Sequence, residues 1–202
     1  MKLLNLIALA ALSASAYAGP LSFDFKDPKG VNNVVFKLDA PLEAINGSAS
    51  GISGTVSFDP EKPGATTGKI VVASESMTVP NSMQKEHLHS ANWLEVAKYP
   101  EITFDVKSLD KVKVEGNVTS ADAKGTFSLH GVTREITVPV KLTYLKDKLS
   151  ARVPNLKGDL LVVRANFTIN REDYNIQKGQ YQDKVSPTIE LTLSLAGASV
   201  TK

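Results

Sequence analysis

The sequence predicts an antiparallel all-β fold of about eight strands with one helical segment among them, and three observations carry that expectation. Apolar and polar side chains alternate with period two in stretches spread over most of the chain, which sorts them onto opposite faces of strands. Turn residues, among them Pro60, Pro63-Gly64, Lys124-Gly125, Gly158 and Gly179, punctuate those stretches. The 202 residues include no cysteine, 42% hydrophobic and 6% aromatic residues, and 23 Lys+Arg against 21 Asp+Glu. This is the composition of a globular chain held by strand pairing and apolar burial; it excludes disordered and collagen-like chains, thiolate chemistry, and nucleic-acid binding driven by bulk charge.

The first element is not part of that fold. Lys2, the apolar run Leu3 to Leu12 and the small-x-small Ala16-Tyr17-Ala18 form the pattern of a secretory signal peptide, too short to span a bilayer. Cleavage after Ala18 would leave residues 19–202 as a single domain without a cysteine to carry a lipid anchor, exported to an aqueous compartment for which the periplasm is the best candidate. No repeat, linker or low-complexity tract divides the remainder.

Along that remainder, Val34, Phe36 and Leu38 alternate with Val35, Lys37 and Asp39, and Ile70-Val71-Val72 is a weaker candidate strand. From Pro80 to Pro100 the alternation disappears: Asn81 can cap a helix with Gln84 three residues on, Ser90 can begin a second turn, and Pro100 steers Tyr99 out of the helical region. Ile102, Phe104 and Val106 resume the pattern, followed by Val112 with Val114 and, more weakly, Phe127 with Leu129. Ile136, Val138, Val140, Leu142 and Tyr144 form a long apolar row opposite Glu135, Thr137, Pro139, Lys141 and Thr143. Phe167 with Ile169, and Ile189, Leu191, Leu193 and Leu195, complete the set. Strands of about 6–8 residues would build a barrel roughly 20–26 Å deep.

One face of nearly every strand carries Lys, Asp or Glu, and a basic residue at mid-bilayer depth costs about 2–4 kcal/mol, so the charged face must meet water rather than lipid. The apolar rows then turn inward. Eight closed strands enclose either a packed core or room for one small apolar ligand, and the pattern leaves both open.

Four stretches narrow the choice: His87-Leu88-His89-Ser90-Ala91-Asn92-Trp93-Leu94-Glu95-Val96, Lys98-Tyr99-Pro100-Glu101-Ile102-Thr103-Phe104, Gly125-Thr126-Phe127-Ser128-Leu129-His130-Gly131-Val132-Thr133-Arg134, and Phe167-Thr168-Ile169-Asn170-Arg171-Glu172-Asp173-Tyr174. In their order and spacing they resemble the YceI-like family of bacterial polyisoprenoid-binding proteins. The resemblance implies an eight-stranded, lipocalin-like barrel whose apolar cavity takes an isoprenoid chain such as a quinone tail, with no catalytic residues and no required cofactor. Two departures stand out: residues 39 to 53 are polar and rich in Gly and Ser, and Asn175 stands where a glycine is common.

On this reading Phe36, Leu38, Val72, Phe104, Phe127, Leu129, Val138, Val140, Phe167, Ile169 and Leu191 line the cavity. Met83, Leu88 and Trp93, with Leu94, give the helical segment an apolar side that either plugs a barrel end or forms a lid. Arg134, Arg171 and Asp173 sit near strand ends, where they either pair with carboxylates or reach a polar headgroup. His87, His89 and His130 are not expected to bind metal, because residues two apart on a helix diverge by about 200°. The expected partners are an isoprenoid lipid and, transiently, a membrane surface; the oligomeric state is left open, a dimer included. A ligand-free stress or interaction protein with a packed β-core is the alternative.

Overall fold

A computed structural model of the chain describes residues 19–201. The expected signal peptide, residues 1–18, lies outside the described residues. In chain order the strands are β1 (Leu21–Asp24), β2 (Asn33–Asp39), β3 (Ala44–Ala49), β4 (Ile52–Phe58), β5 (Thr67–Ala73), β6 (Glu101–Glu115), β7 (Val118–Leu129), β8 (Val132–Leu145), β9 (Gly158–Asn170) and β10 (Thr188–Val200). Helix α1 (Ser82–His89) lies between β5 and β6, and the short α2 (Leu149–Arg152) between β8 and β9.

The ten strands make eight staves. β1 pairs with β4 and β2 with β3, so that β1/β2 and β3/β4 are two neighbouring staves, each broken once. From β4 the sheet continues through β5, β6, β7, β8 and β9 to β10, every pair antiparallel, and β10 returns to both β1 and β2 and closes the ring. The break between β1 and β2 is built around Asp27, whose carboxylate accepts from the backbone N–H groups of Lys29, Val31 and Asn32 and meets Arg152 at 3.1 Å. The polar stretch after Asp39 forms β3. It needs Gly47 because the Phe36 ring and the Thr78 carbonyl occupy the space of a Cβ there.

Strands β6 to β10 run 12 to 15 residues, longer than the alternation suggested. At about 3.3 Å per residue and a tilt of 35–45°, the 13 residues of β9 give a barrel roughly 30–35 Å tall. β7 was faint in sequence because its inward positions include the small Thr119, Ala121, Ala123 and Gly125, which are buried but carry little hydrophobic signal. β6 fuses two expected strands through irregular register after Val106 and Asp110. Its far end projects beyond the barrel: Val112 and Val114 are 38% and 52% exposed, not half-buried as their alternation implied.

The two barrel ends differ. At the lower end Phe23 meets Phe58 and Tyr144 with ring centroids 6.5 and 6.3 Å apart, and Phe25, Leu149, Leu161 and Leu195 are fully buried around them. At the upper end lie the β2–β3 turn, α1 with the turns that follow it, the β7–β8 hairpin and the long β9–β10 connection. The hairpin turns at His130 and Gly131, with φ of 51° and 74°; a Cβ on Gly131 would sit 2.6 Å from the Tyr99 ring.

The β8–β9 seam is incomplete at its upper end. The β8–β9 ladder runs only from Leu145 opposite Leu160 to Val140 opposite Ala165, whereas β7–β8 pairing continues up to Leu129 opposite Val132. It stops at Pro139, which has no N–H to donate and which strands tolerate only where that side is unpaired.

Candidate functional site

Above the packed lower end the barrel is hollow. The cavity has a volume of about 1000 Å³, the upper end of the usual range for ligand pockets. Its wall draws on every stave: Phe36 and Leu38 from β2, Val72 from β5, Phe104 from β6, Phe127 and Leu129 from β7, Val138 and Val140 from β8, Phe167 and Ile169 from β9, and Leu191 from β10, joined by Ile45 and Val56 from the β3/β4 stave. All eleven expected wall residues therefore surround one space. Phe104, Val140 and Leu191 are only partly buried: they pack against the core on one side and border that space on the other. Sequence reasoning passed over further wall positions, Ala123 and Ala165 among them, since small side chains give no hydrophobic signal.

The helical segment covers the upper end. Asn81 Oδ1 accepts from the Gln84 N–H at 3.0 Å and caps α1, as its position suggested. The helix ends at His89 rather than near Pro100. Ser90 Oγ donates to the His87 carbonyl at 2.7 Å, and successive turns carry the chain to Lys98. Leu88 and Trp93 face the cavity. Met83 does not: it is 65% exposed, because on so short a helix it falls on the side away from Leu88.

The other half of the cover is the loop from Arg171 to Pro187, of which sequence reasoning assigned only Arg171 and Asp173, as possible headgroup or barrel-end contacts. The Tyr181 ring lies 6.1 Å from that of Trp93, and Gln177 Nε2 donates to the Asn92 carbonyl, joining the two covers over the mouth. Tyr181, Ile176 and Val185 add apolar surface there, while Glu43, Gln84, Gln180 and Lys184 make the rim polar. The only hint in the sequence was the presence of isolated apolar residues in a Gln- and Lys-rich stretch. Asn175, the departure from a common glycine, has φ of 57°, a left-handed conformation that asparagine adopts more readily than most residues.

Arg171 organises this loop and is 1% exposed. Its Nε donates to the Ser186 carbonyl at 3.2 Å, one terminal nitrogen to Ile176 at 2.8 Å and Gln177 at 2.5 Å, and the other to Gln180 at 2.6 Å and Val185 at 3.1 Å. Burial pulls its pKa below the usual guanidinium value and Glu172 opposes this; the group keeps its charge at neutral pH. It borders the cavity and its guanidinium lies 5.9 Å from the Trp93 ring centre, but its donors are committed to the loop rather than presented to a headgroup. Arg134 and Asp173, the other two barrel-end candidates, pair with each other outside the cavity: Arg134 Nε donates to the Asp173 carbonyl at 2.8 Å, and the charged groups are 3.6 Å apart.

The three histidines do not converge. His87 borders the mouth, His89 Nε2 is 2.7 Å from the Met77 carbonyl, and His130 Nδ1 is 3.1 Å from the Tyr174 carbonyl. Among the described residues no three His, Cys, Asp or Glu side chains are grouped to hold a metal ion, and no helix is long and apolar enough to cross a membrane.

Comparison with known proteins agrees with this geometry. Residues 27–196 match the model of the YceI-like domain. The curated protein YceI of Salmonella arizonae is 34% identical over 153 residues, 76% of this chain and 73% of that protein. Among solved structures, Burkholderia cenocepacia BcnA superimposes with a TM-score of 0.67 at 17% identity, covering 82% of this chain and 95% of that one. A polyisoprenoid-binding domain from Saccharophagus degradans, implicated in plant cell wall breakdown, gives a TM-score of 0.64 at 15% identity, covering 89% and 99%. Sequence match and a shared barrel fold lead to one conclusion: this chain belongs to the YceI-like family.

Proposed function

We propose that this protein is an exported, periplasmic carrier or reservoir that holds a polyisoprenoid or isoprenoid quinone chain inside its barrel and works by binding rather than by catalysis. The observation that carries the reading is the cavity of about 1000 Å³, walled mainly by Val, Leu, Ile and Phe from every stave, with its charged lining residues Glu43, Arg171 and Lys184 at the mouth. At the roughly 30 Å³ that a small group occupies in a liquid, this space takes on the order of thirty carbon atoms, about six isoprene units. The polyisoprenoid-binding Saccharophagus domain, which shares the fold, adds support.

At about 0.8 kcal/mol per buried CH₂, each five-carbon unit gains on the order of 4 kcal/mol on leaving water, so escape into water is very slow. Exchange with a membrane is close to balanced, because a bilayer interior is as apolar as the cavity wall. Vesicles should therefore compete with the protein for its ligand, which suits carriage or storage and requires transient contact with a membrane surface.

Organic extraction of protein purified natively from its own host, followed by mass spectrometry, tests the reading. The expected extract contains an isoprenoid lipid in near-stoichiometric amount. An empty extract would refute it and favour a ligand-free interaction or stress protein.

A further inference from the structure

We infer that the parted seam between β8 and β9 is a second, plugged opening of the cavity, through which the end of an apolar chain longer than the cavity reaches the surface. This rests on the isoprenoid-binding reading above. Below Val140 and Ala165 the two strands are laddered together; above, residues 132–139 of β8 pair with β7 alone and residues 166–170 of β9 with β10 alone. Two long strand edges thus face one another unpaired, whereas the flanking β7–β8 and β9–β10 ladders run up to the barrel end. Unpaired backbone groups are costly when buried and tolerable only where water or another partner reaches them.

A cleft of about 330 Å³ occupies the gap, bordered by Arg134, Ile136, Thr168, Asn170 and Tyr174. Ile169 borders both this cleft and the main cavity, so the two spaces adjoin.

The plug is light. Tyr174, 2% exposed, stands edge-on to Phe127 of the cavity wall at 5.6 Å. Arg134 and Asp173 bridge the gap outside it, but their side chains are 50% and 54% exposed, and ion pairs so wet hold little. Below the cavity the way is shut by the packed lower end, and the mouth carries the polar groups suited to a headgroup. The seam is the remaining exit for a chain of more than about six units.

Two polyprenols with a diazirine at the tail end test this on the full mature chain: one of four isoprene units, which fits inside, and one of nine, which does not. Binding is read by Trp93 fluorescence and crosslink positions by peptide mass spectrometry. The nine-unit probe should crosslink Ile136, Thr168 or Tyr174, which border the cleft alone, and the four-unit probe interior residues such as Phe104 and Leu142. Ile136→Trp, at a position that lines the cleft and not the main cavity, should weaken the long probe about tenfold and leave the short one unchanged. Long-probe crosslinks confined to the interior or to the mouth at Gln180 and Tyr181 would overturn the inference, as would an equal response of both probes to I136W. In those cases the isoprenoid reading would stand; failure of both probes to bind the unaltered protein would sink that reading and this inference together.

Discussion

Replacing Arg171 with alanine should open the mouth loop while leaving the barrel standing. Five carbonyl acceptors would lose a charged donor at once. Hydrogen bonds to charged groups contribute about 1.5–3 kcal/mol each, so five nominally total roughly 7–15 kcal/mol, as much as the whole stability of a typical domain. The molecule will not bear that cost in place. Residues 175–187 will instead leave the barrel end and give their carbonyls to water, which limits the loss to the free energy of local opening, about 2–4 kcal/mol. The β9–β10 ladder, paired along its full length from Asn170 opposite Thr188 to Gly158 opposite Val200, holds the staves on either side. Hydrogen exchange by mass spectrometry should show protection lost over residues 175–187 and kept in β6 to β10. Trp93 emission should shift to the red as the Tyr181 ring and the guanidinium depart. Arg171→Lys should fall between, since an ammonium keeps the charge but cannot span five acceptors with a planar fork. The reasoning is wrong if R171A retains both loop protection and the Trp93 spectrum.

Three further perturbations have defined outcomes. Burial resists ionisation of Asp27, whose side chain is 4% exposed, but the N–H groups of Asn32, Lys29 and Val31, and then Arg152, outweigh it and hold its pKa below the ordinary 3.8. A depressed folded-state pKa contributes stability above pH 3.8 that is lost as pH falls through the folded value; Asp27→Asn should cost about 2 kcal/mol at pH 7 and flatten the acid limb of a urea-midpoint profile. Ala165→Leu adds bulk to the cavity wall, so it should fold with a midpoint change under about 1 kcal/mol yet weaken a four-unit polyprenol about tenfold by fluorescence titration. Leu88→Ala should cost about 1–2 kcal/mol in thermal melts because Leu88 packs against both upper apolar clusters, whereas Met83→Ala should stay within about 0.5 kcal/mol; equal effects would contradict the helix orientation.

Sequence alternation alone places the large apolar residues of the central staves on one inward face. Alternation is a local property of extended chain, so Phe36, Phe104, Val138, Phe167 and Leu191 could be assigned to one interior without knowing how the staves are ordered. The Asn81 cap was legible for the same reason, since donor and acceptor lie three residues apart. Tertiary structure decided the rest. Whether the interior is packed or hollow depends on stave number, length and tilt together; here the aromatic residues of β1 and β4 fill the lower end and leave the upper part empty. Arg171 and Arg134 both sit near strand ends, yet one is buried in a cage of carbonyls and the other is paired on the surface. That difference arises from the path of a loop without periodicity, whose conformation is set by the groups it meets across the barrel mouth.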